Sequence, residues 1–158
     1  MAANGGAGNS GTITQATGTS VNSFGLAKFT TTNANIVLGN SGNNFGRVEL
    51  FVNSTDASRT VTLVEEGTIR LGNLNSRGTS TLTSRTGSIL EDPDANANVT
   101  NNGTLLLNAA NGSVLIGNTT TRNGAFTTTG NVVTANISAP SGAAAVQSSA
   151  NLTLGTTM

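Results

Sequence analysis

Apolar and polar residues alternate along many short runs of this chain. Clear cases are Arg47-Val48-Glu49-Leu50, Thr68-Ile69-Arg70-Leu71 and Leu152-Thr153-Leu154. This period of two is the pattern of a β-strand with one buried face. Such runs recur about every eight to twelve residues, and no window repeats apolar residues at helical spacing over three turns. The pattern therefore predicts an all-β chain of many short strands.

A short phrase closes several of these runs: an apolar residue, often paired with a second, precedes Gly-Asn or Gly-Thr. It occurs as Val37-Leu38-Gly39-Asn40, Arg70-Leu71-Gly72-Asn73, Leu115-Ile116-Gly117-Asn118 and Thr153-Leu154-Gly155-Thr156. Gly and Asn tolerate the backbone angles of sharp turns. The phrase predicts structural turn or ladder positions at Gly39, Asn40, Gly72, Asn73, Gly117, Asn118 and Gly155. We expect Asn40, Asn73 and Asn118 to stack as amide ladders.

An internal repeat favours a stacked solenoid over the alternative, an antiparallel β-sandwich. Asn-Gly turns such as Asn111-Gly112 suit antiparallel hairpins and keep the sandwich open. However, residues 29–40 align with residues 107–118, and their apolar positions coincide. We expect two super-repeats of about 77 residues and seven or eight coils of about 20 residues each. Residues 1–10 are then a flexible or capping lead-in, and residues 11–158 form a single β-solenoid.

The composition fits such a stack. Thr, Asn, Gly and Ser supply 84 of the 158 residues, whereas Leu, Ile, Val and Phe supply only 36. In a solenoid each coil covers its neighbours, so few large apolar residues can make a continuous core. The formal net charge is zero, so self-repulsion does not oppose collapse. We therefore expect an ordered chain.

Charge and residue types argue against several functions. The seven cations are scattered singly and aromatic residues make up 3% of the chain, so we expect no nucleic-acid binding. No apolar stretch approaches the ~18 residues of a membrane-spanning helix, so we expect no membrane insertion. The chain has no Cys and no His, so it lacks the nitrogen and sulfur ligands of most transition-metal sites.

The one dense acidic segment is Glu91-Asp92-Pro93-Asp94. The carboxylates of Glu91, Asp92 and Asp94 could bind Ca²⁺ through oxygen ligands. The segment lacks the Asp-x-Asn-x-Asp-Gly spacing of a calcium loop, so we favour a solvated loop in which Pro93 fixes a turn. Calcium is the single cofactor that the sequence suggests.

Four charged residues could align across coils in the manner of a glycan-cleaving β-helix: Arg47, Glu49, Glu65 and Arg70. Glycoside hydrolysis needs two carboxylates on opposite sides of one bond, and the seven acidic residues are scattered along the chain. The chain also lacks the His and Cys of common nucleophilic sites. We therefore expect cross-coil ion pairs or solvated faces at these positions and no enzyme.

Three segments carry a resemblance to a known family. They are Gly11-Thr12-Ile13-Thr14-Gln15, residues 36–48 with the sequence IVLGNSGNNFGRV, and Thr68-Ile69-Arg70-Leu71-Gly72-Asn73. Over residues 11–156 the chain resembles bacterial β-strand-repeat surface proteins of the filamentous-haemagglutinin and autotransporter-passenger type. The resemblance implies a right-handed parallel β-helix that is exported across the outer membrane for adhesion, biofilm formation or surface coating.

We therefore expect a structural or adhesive segment of a secreted or surface-displayed bacterial protein. Its location would be extracellular or on the cell surface, and its partners host or matrix glycans or proteins. A first alternative is a self-assembling extracellular filament or surface-layer subunit, because the open ends of a solenoid are unpaired strand edges. A second alternative is a glycan-binding or glycan-cleaving β-helix.

Overall fold

The computed structural model describes residues 11–92 and 98–116, and beyond them the backbone of four strands within residues 125–154. The described residues contain fifteen strands and no helix. The strands are β1 (Ile13–Thr14), β2 (Asn22–Thr32), β3 (Ile36–Leu38), β4 (Asn44–Asn53), β5 (Val61–Glu65), β6 (Ile69–Ser76), β7 (Ser80–Ser84), β8 (Ile89–Glu91), β9 (Asn98–Asn101), β10 (Leu105–Ala109), β11 (Val114–Ile116), β12 (Ala125–Thr127), β13 (Thr134–Ser138), β14 (Ala144–Val146) and β15 (Thr153–Leu154). In this part of the chain no helix could span a membrane.

The strand pairs of the described residues are all parallel, and they form two sheets. The first sheet has the order β1-β3-β5-β7-β10-β13-β15. The second has the order β12-β9-β6-β8-β11-β14, and β2 joins it through β4 and β6. Consecutive strands of the chain therefore lie either in different sheets or at separate positions within the second sheet. This topology is a parallel β-solenoid, as predicted, and it excludes the antiparallel sandwich.

Each coil contributes up to three strand segments because the long strands bend. β6 pairs with β8 through Ile69–Leu71 and with β9 through Leu74–Ser76. β4 shows a matching register shift between Val48 and Leu50. We call the first sheet side A, the β8-paired part of the second sheet side B, and the β9-paired part side C.

The coils differ in length. On side A, Ile13 pairs with Ile36, Ile36 with Val61, Val61 with Ser80, and Ser80 with Leu105. The step along the chain from Val61 to Ser80 is shorter than the steps before and after it, so the coils are near the predicted length but irregular. The described residues complete about four turns, and the total of seven or eight coils stays a prediction.

Vertical ladders of aliphatic side chains make the core. On side A one ladder consists of Leu38, Leu63, Leu82 and Leu107, each in register with the next and each fully buried. On side B, Ile69, Ile89 and Val114 do the same. The rings of Phe29 and Phe45 meet edge to face, with centroids 5.7 Å apart. Stacking explains how so few large apolar residues fill a core.

The two segments that align in the sequence, residues 29–40 and 107–118, do not occupy equivalent places. Ile36–Leu38 is β3 in the first sheet, whereas Val114–Ile116 is β11 in the second. Their similarity reflects a shared succession of buried strand and turn. The structural repeat is the single coil, and the division into two super-repeats stays a prediction. The lead-in, residues 1–10, lies outside the described residues.

Candidate functional site

The repeated Gly-Asn phrase serves two different backbone roles. Gly39 and Asn40 follow β3 and open a turn. Gly72 and Asn73 instead lie inside β6, at the corner where side B becomes side C. The remaining predicted positions, Gly117, Asn118 and Gly155, lie outside the described residues.

The side chain of Asn40 connects its turn to the preceding coil. Its Nδ2 donates hydrogen bonds to the backbone oxygens of Ala16, at 2.7 Å, and Thr19, at 2.9 Å. Asn73 bonds Glu49 at another corner. Contrary to the prediction, Asn40 and Asn73 do not stack in one amide ladder, because Asn40 follows β3 of the first sheet whereas Asn73 lies in β6 of the second.

Among the described residues, the side-chain amide with the most hydrogen bonds belongs to Asn43, which no sequence pattern singled out. Asn43 is fully buried. Gln15 Nε2 donates to Asn43 Oδ1 at 2.6 Å, and Asn43 Nδ2 donates to Gln15 Oε1 at 2.9 Å. Asn43 Nδ2 also lies 3.0 Å from the backbone oxygen of Val64. This side chain thus joins three successive coils, and nothing in the sequence distinguishes it from the other asparagines.

A charged corner lies where side B meets side C. Asn73 Nδ2 donates to Glu49 Oε1 at 3.0 Å, and Lys28 Nζ lies 3.9 Å from Glu49 Oε2. Lys28 Nζ also lies 4.6 Å from the centre of the Phe51 ring. A Cβ at position 72 would stand 2.9 Å from Glu49 Cγ. Gly72 therefore provides the space in which the buried Glu49 carboxylate sits.

An ion pair spans two coils beside this corner. Arg47 Nε lies 3.2 Å from Asp92 Oδ2. Arg47 precedes Val48, which pairs with Leu71, and Leu71 pairs in turn with Glu91. Asp92 follows Glu91, so the arginine side chain passes one complete coil to reach it. The Asp92 carboxylate is almost completely buried.

The predicted calcium ligands have other surroundings. Asp92 faces the Arg47 guanidinium, and Glu91 is buried at the end of β8. Asp94 lies outside the described residues. Within the described ranges, no three carboxylates group closely enough to hold a metal ion. The calcium site stays a prediction.

Glu65 is a carboxylic acid inside the solenoid. It ends β5 with 1% of its surface exposed. Its Oε1 accepts a hydrogen bond from the backbone N–H of Phe45 at 3.1 Å, while Oε2 has no hydrogen-bond partner among the described residues. Loss of hydration raises the pKa of Glu65 to about 7, although the Phe45 hydrogen bond acts in the opposite direction.

The four residues considered for glycan cleavage are distributed over different environments. Arg47 and Glu49 lie near the charged corner, Glu65 lies in the interior, and Arg70 is exposed on side B. Glu49 and Glu65 therefore do not face one solvent-filled groove. The cross-coil ion pairs expected in place of catalysis occur at Glu49 and Arg47.

Two open polar grooves lie at corners of the coils. One has a volume of about 560 Å³ and is lined by Gly18, Thr19, Ser20, Gly39, Asn40, Ser41 and Gly42. The other has the same volume and is lined by Asn33, Asn53, Ser54, Thr55, Asp56 and Arg77. Within the second, hydrogen bonds from Ser58 lower the pKa of Asp56. None of these lining residues is aromatic.

Comparisons with known proteins assign no family. No protein-family model, curated protein or solved structure matches the chain. The parallel topology supports the β-solenoid fold that the resemblance implied, but no family is identified. The function must be argued from this chain's own residues.

Proposed function

We propose that this chain is a structural segment, a stiff polar rod, of a secreted or surface-displayed bacterial protein. The observation that carries the proposal is the unbroken leucine ladder of side A, which continues through Leu38, Leu63, Leu82 and Leu107. Parallel pairing along such a ladder resists bending, since each inner coil of the described stack is hydrogen-bonded to the coil before it and the coil after it. The cell-surface setting is supported by the composition, rich in Thr, Asn, Ser and Gly, and by the neutral net charge.

The finer features of the proposal follow from the sequence resemblance. We propose a right-handed coil and seven or eight coils in all, in the manner of filamentous-haemagglutinin and autotransporter passengers. The role in adhesion, biofilm formation or surface coating belongs to the same proposal. The strand-and-turn phrases in residues 11–73 and the parallel topology support it.

Small-angle X-ray scattering together with limited proteolysis tests the rod. We expect an elongated particle and slow cleavage within residues 11–92 and 98–116 by a protease of broad specificity. Leu63→Asp, which puts a charge into the ladder, should give a flexible and rapidly cleaved chain. A compact sphere, or equal cleavage of both proteins, would contradict the proposal. Labelling of intact producing cells with an antibody against the segment tests its location.

A second candidate function is end-to-end assembly, the filament alternative. β2 is an eleven-residue strand that pairs with β4 and with no other strand of the described part. A long edge of this kind is a template for another strand. Negative-stain images over a range of concentrations should then show filaments that lengthen with concentration. A monodisperse monomer at every concentration would rule out assembly and leave the rod proposal intact.

A further inference from the structure

The exposed apolar surface of the described residues is concentrated in one strand. Phe24 is fully exposed and Leu26 is 47% exposed, and they are the large hydrophobic side chains that this part of the chain leaves in solvent. Both lie in β2, where Phe24 and Gly25 form an irregularity opposite Gly46. A Cβ at position 46 would collide with the backbone oxygen of Phe24. The glycine thus permits the backbone path that presents Phe24 to solvent.

Two arginines continue this surface on side B. Leu26 pairs with Arg47, and Arg47 and Arg70 lie side by side, because Val48 pairs with Leu71 on the same two strands. Neighbouring strands are separated by about 4.8 Å, and like charges at facing positions destabilise a sheet. Asp92 balances Arg47. Arg70 is exposed and makes no ion pair with a described residue.

Phe24, Leu26, Arg47 and Arg70 form what we call the side B patch. Its guanidinium groups are planar donors that match the two oxygens of a carboxylate or sulfate. Phe24 and Leu26 can pack against the C–H face of a sugar ring, because apolar surface is removed from water on contact. The patch therefore combines an anion site with an apolar platform.

The position of the patch favours a polysaccharide over an acidic peptide. Phe24 and Leu26 lie in the edge strand β2, whereas Arg47 and Arg70 lie on β4 and β6, whose backbone groups are already used between coils. A peptide that adds a strand to the free edge of β2 lies on the side of β2 away from β4, so strand addition does not bring its acidic groups to Arg70. A polysaccharide can bind through side chains alone, along the direction in which Leu26, Arg47 and Arg70 follow one another.

We propose that the side B patch binds an anionic polysaccharide, with Arg70 and Arg47 on its carboxylate or sulfate groups and Phe24 against a sugar ring. The inference rests on the proposed function for its extracellular setting, and it names the partner class of that scaffold. Polysaccharides with carboxylate groups and those with sulfate groups share the recognised feature, which is an anionic group that repeats along a sugar chain.

Isothermal titration calorimetry of the full chain tests the site with four probes: polygalacturonate, dextran sulfate, neutral dextran and poly-glutamate. We expect binding to one or both anionic polysaccharides, weaker at high salt, and no binding to dextran. Arg70→Ala should weaken binding about tenfold through loss of charged hydrogen bonds, and Phe24→Ser should also weaken it. Polygalacturonate and dextran sulfate distinguish carboxylate from sulfate as the recognised group.

Arg77→Ala is the matched control. Arg77 is likewise exposed and makes no ion pair with a described residue, but it lies in the groove with Asn33 and Asp56. The Arg77→Ala variant should leave binding unchanged.

Three outcomes would overturn the proposal: an equal loss of binding in both arginine variants, binding to poly-glutamate alone, or no binding by the wild-type chain. Arg70→Gln serves if Arg70→Ala fails to fold, as judged by circular dichroism. If the wild-type chain is a rod but binds no probe, the proposed polysaccharide binding is refuted and the proposed structural role is not.

Discussion

At the scale of single residues, the carboxylates of this chain differ in what surrounds them. Glu66 is half exposed and pairs with Arg85 at 2.8 Å. Its neighbour Glu65 points into the interior and keeps one oxygen without a hydrogen-bond partner in the described structure. Glu65 is the last residue of β5, whereas Glu66 lies in the bend that follows it. The ionised carboxylate of Glu65 loses its hydration in the interior. The free energy of unfolding should therefore depend on pH.

We expect the free energy of unfolding to fall as the pH rises from about 4.5 to above 7. The folded pKa of Glu65, about 7, lies above the unfolded value of 4.5, so the folded chain binds the additional proton in this window. The loss amounts to about 3 kcal/mol. Glu65→Gln, which cannot ionise, should remove it. Urea unfolding at several pH values measures the slope.

The control for this prediction is Glu66→Gln, which changes the same chemical group one residue away on the surface. It should keep the wild-type slope, because an exposed ion pair contributes little to stability. If Glu65→Gln and the wild type show the same pH dependence, the carboxyl group of Glu65 is not the source.

At the scale of strands, the corners decide how a continuous run of residues becomes two sides of a coil. β6 bends at Gly72 and Asn73, and the bend places Glu49 between Lys28 and Asn73. The missing side chain at position 72 lets the carboxylate of the neighbouring coil occupy the corner. Gly72 therefore lies at the bend of β6 and also leaves the space for the buried carboxylate of Glu49.

Gly72→Ala should destabilise the protein by about 1–3 kcal/mol, because the new methyl group meets a well-packed side chain. Gly39→Ala is the matched control. A Cβ there would meet its nearest atom, Thr62 Cγ2, at 3.9 Å, and its backbone needs no glycine conformation. It should be neutral or slightly stabilising, by up to ~1 kcal/mol. Thermal unfolding of both variants measures the difference, and equal effects would show that Glu49 moves away freely.

At the scale of the whole molecule, stability accumulates along one direction. Each coil contacts its neighbours above and below, so the loss of a core side chain affects mainly the adjacent coils. The leucine ladder of side A and the amide of Asn43 both connect successive coils. The ends of such a stack have one neighbour fewer than its middle.

Leu82→Ala should cost about 2–5 kcal/mol, because it leaves a cavity in a fully buried ladder. Hydrogen exchange should show reduced protection in β7 and in its partners β5 and β10. Ile13→Ala, at a partly buried position in β1, should affect exchange in β1 and β3 alone. Loss of protection over the entire chain in both variants would indicate a single cooperative unit.

The sequence by itself determined the class of fold. Period-two runs such as those around Val48 and Ile69, and turns rich in Gly and Asn, are local patterns, and local patterns specify strands and turns. The absence of helix among the described residues was predicted on this basis. The solenoid was preferred to the antiparallel sandwich because residues 29–40 align with residues 107–118. The parallel topology confirms the solenoid, although β3 and β11 of these two segments lie in different sheets. The coil length was approximated, since an average spacing of strands is visible without knowledge of their pairing.

Only the tertiary structure decided which side chain stands where. The phrases at Gly39 and Gly72 lie at strands of different sheets, because the stretch of chain between them is longer than one coil and shorter than two. Asn43 acquires its role from Gln15 and Val64, and Arg47 reaches Asp92 past an intervening coil. These contacts join residues that lie one or two coils apart along the chain. Their pairing depends on the sum of all the coil lengths between them, which no local pattern contains.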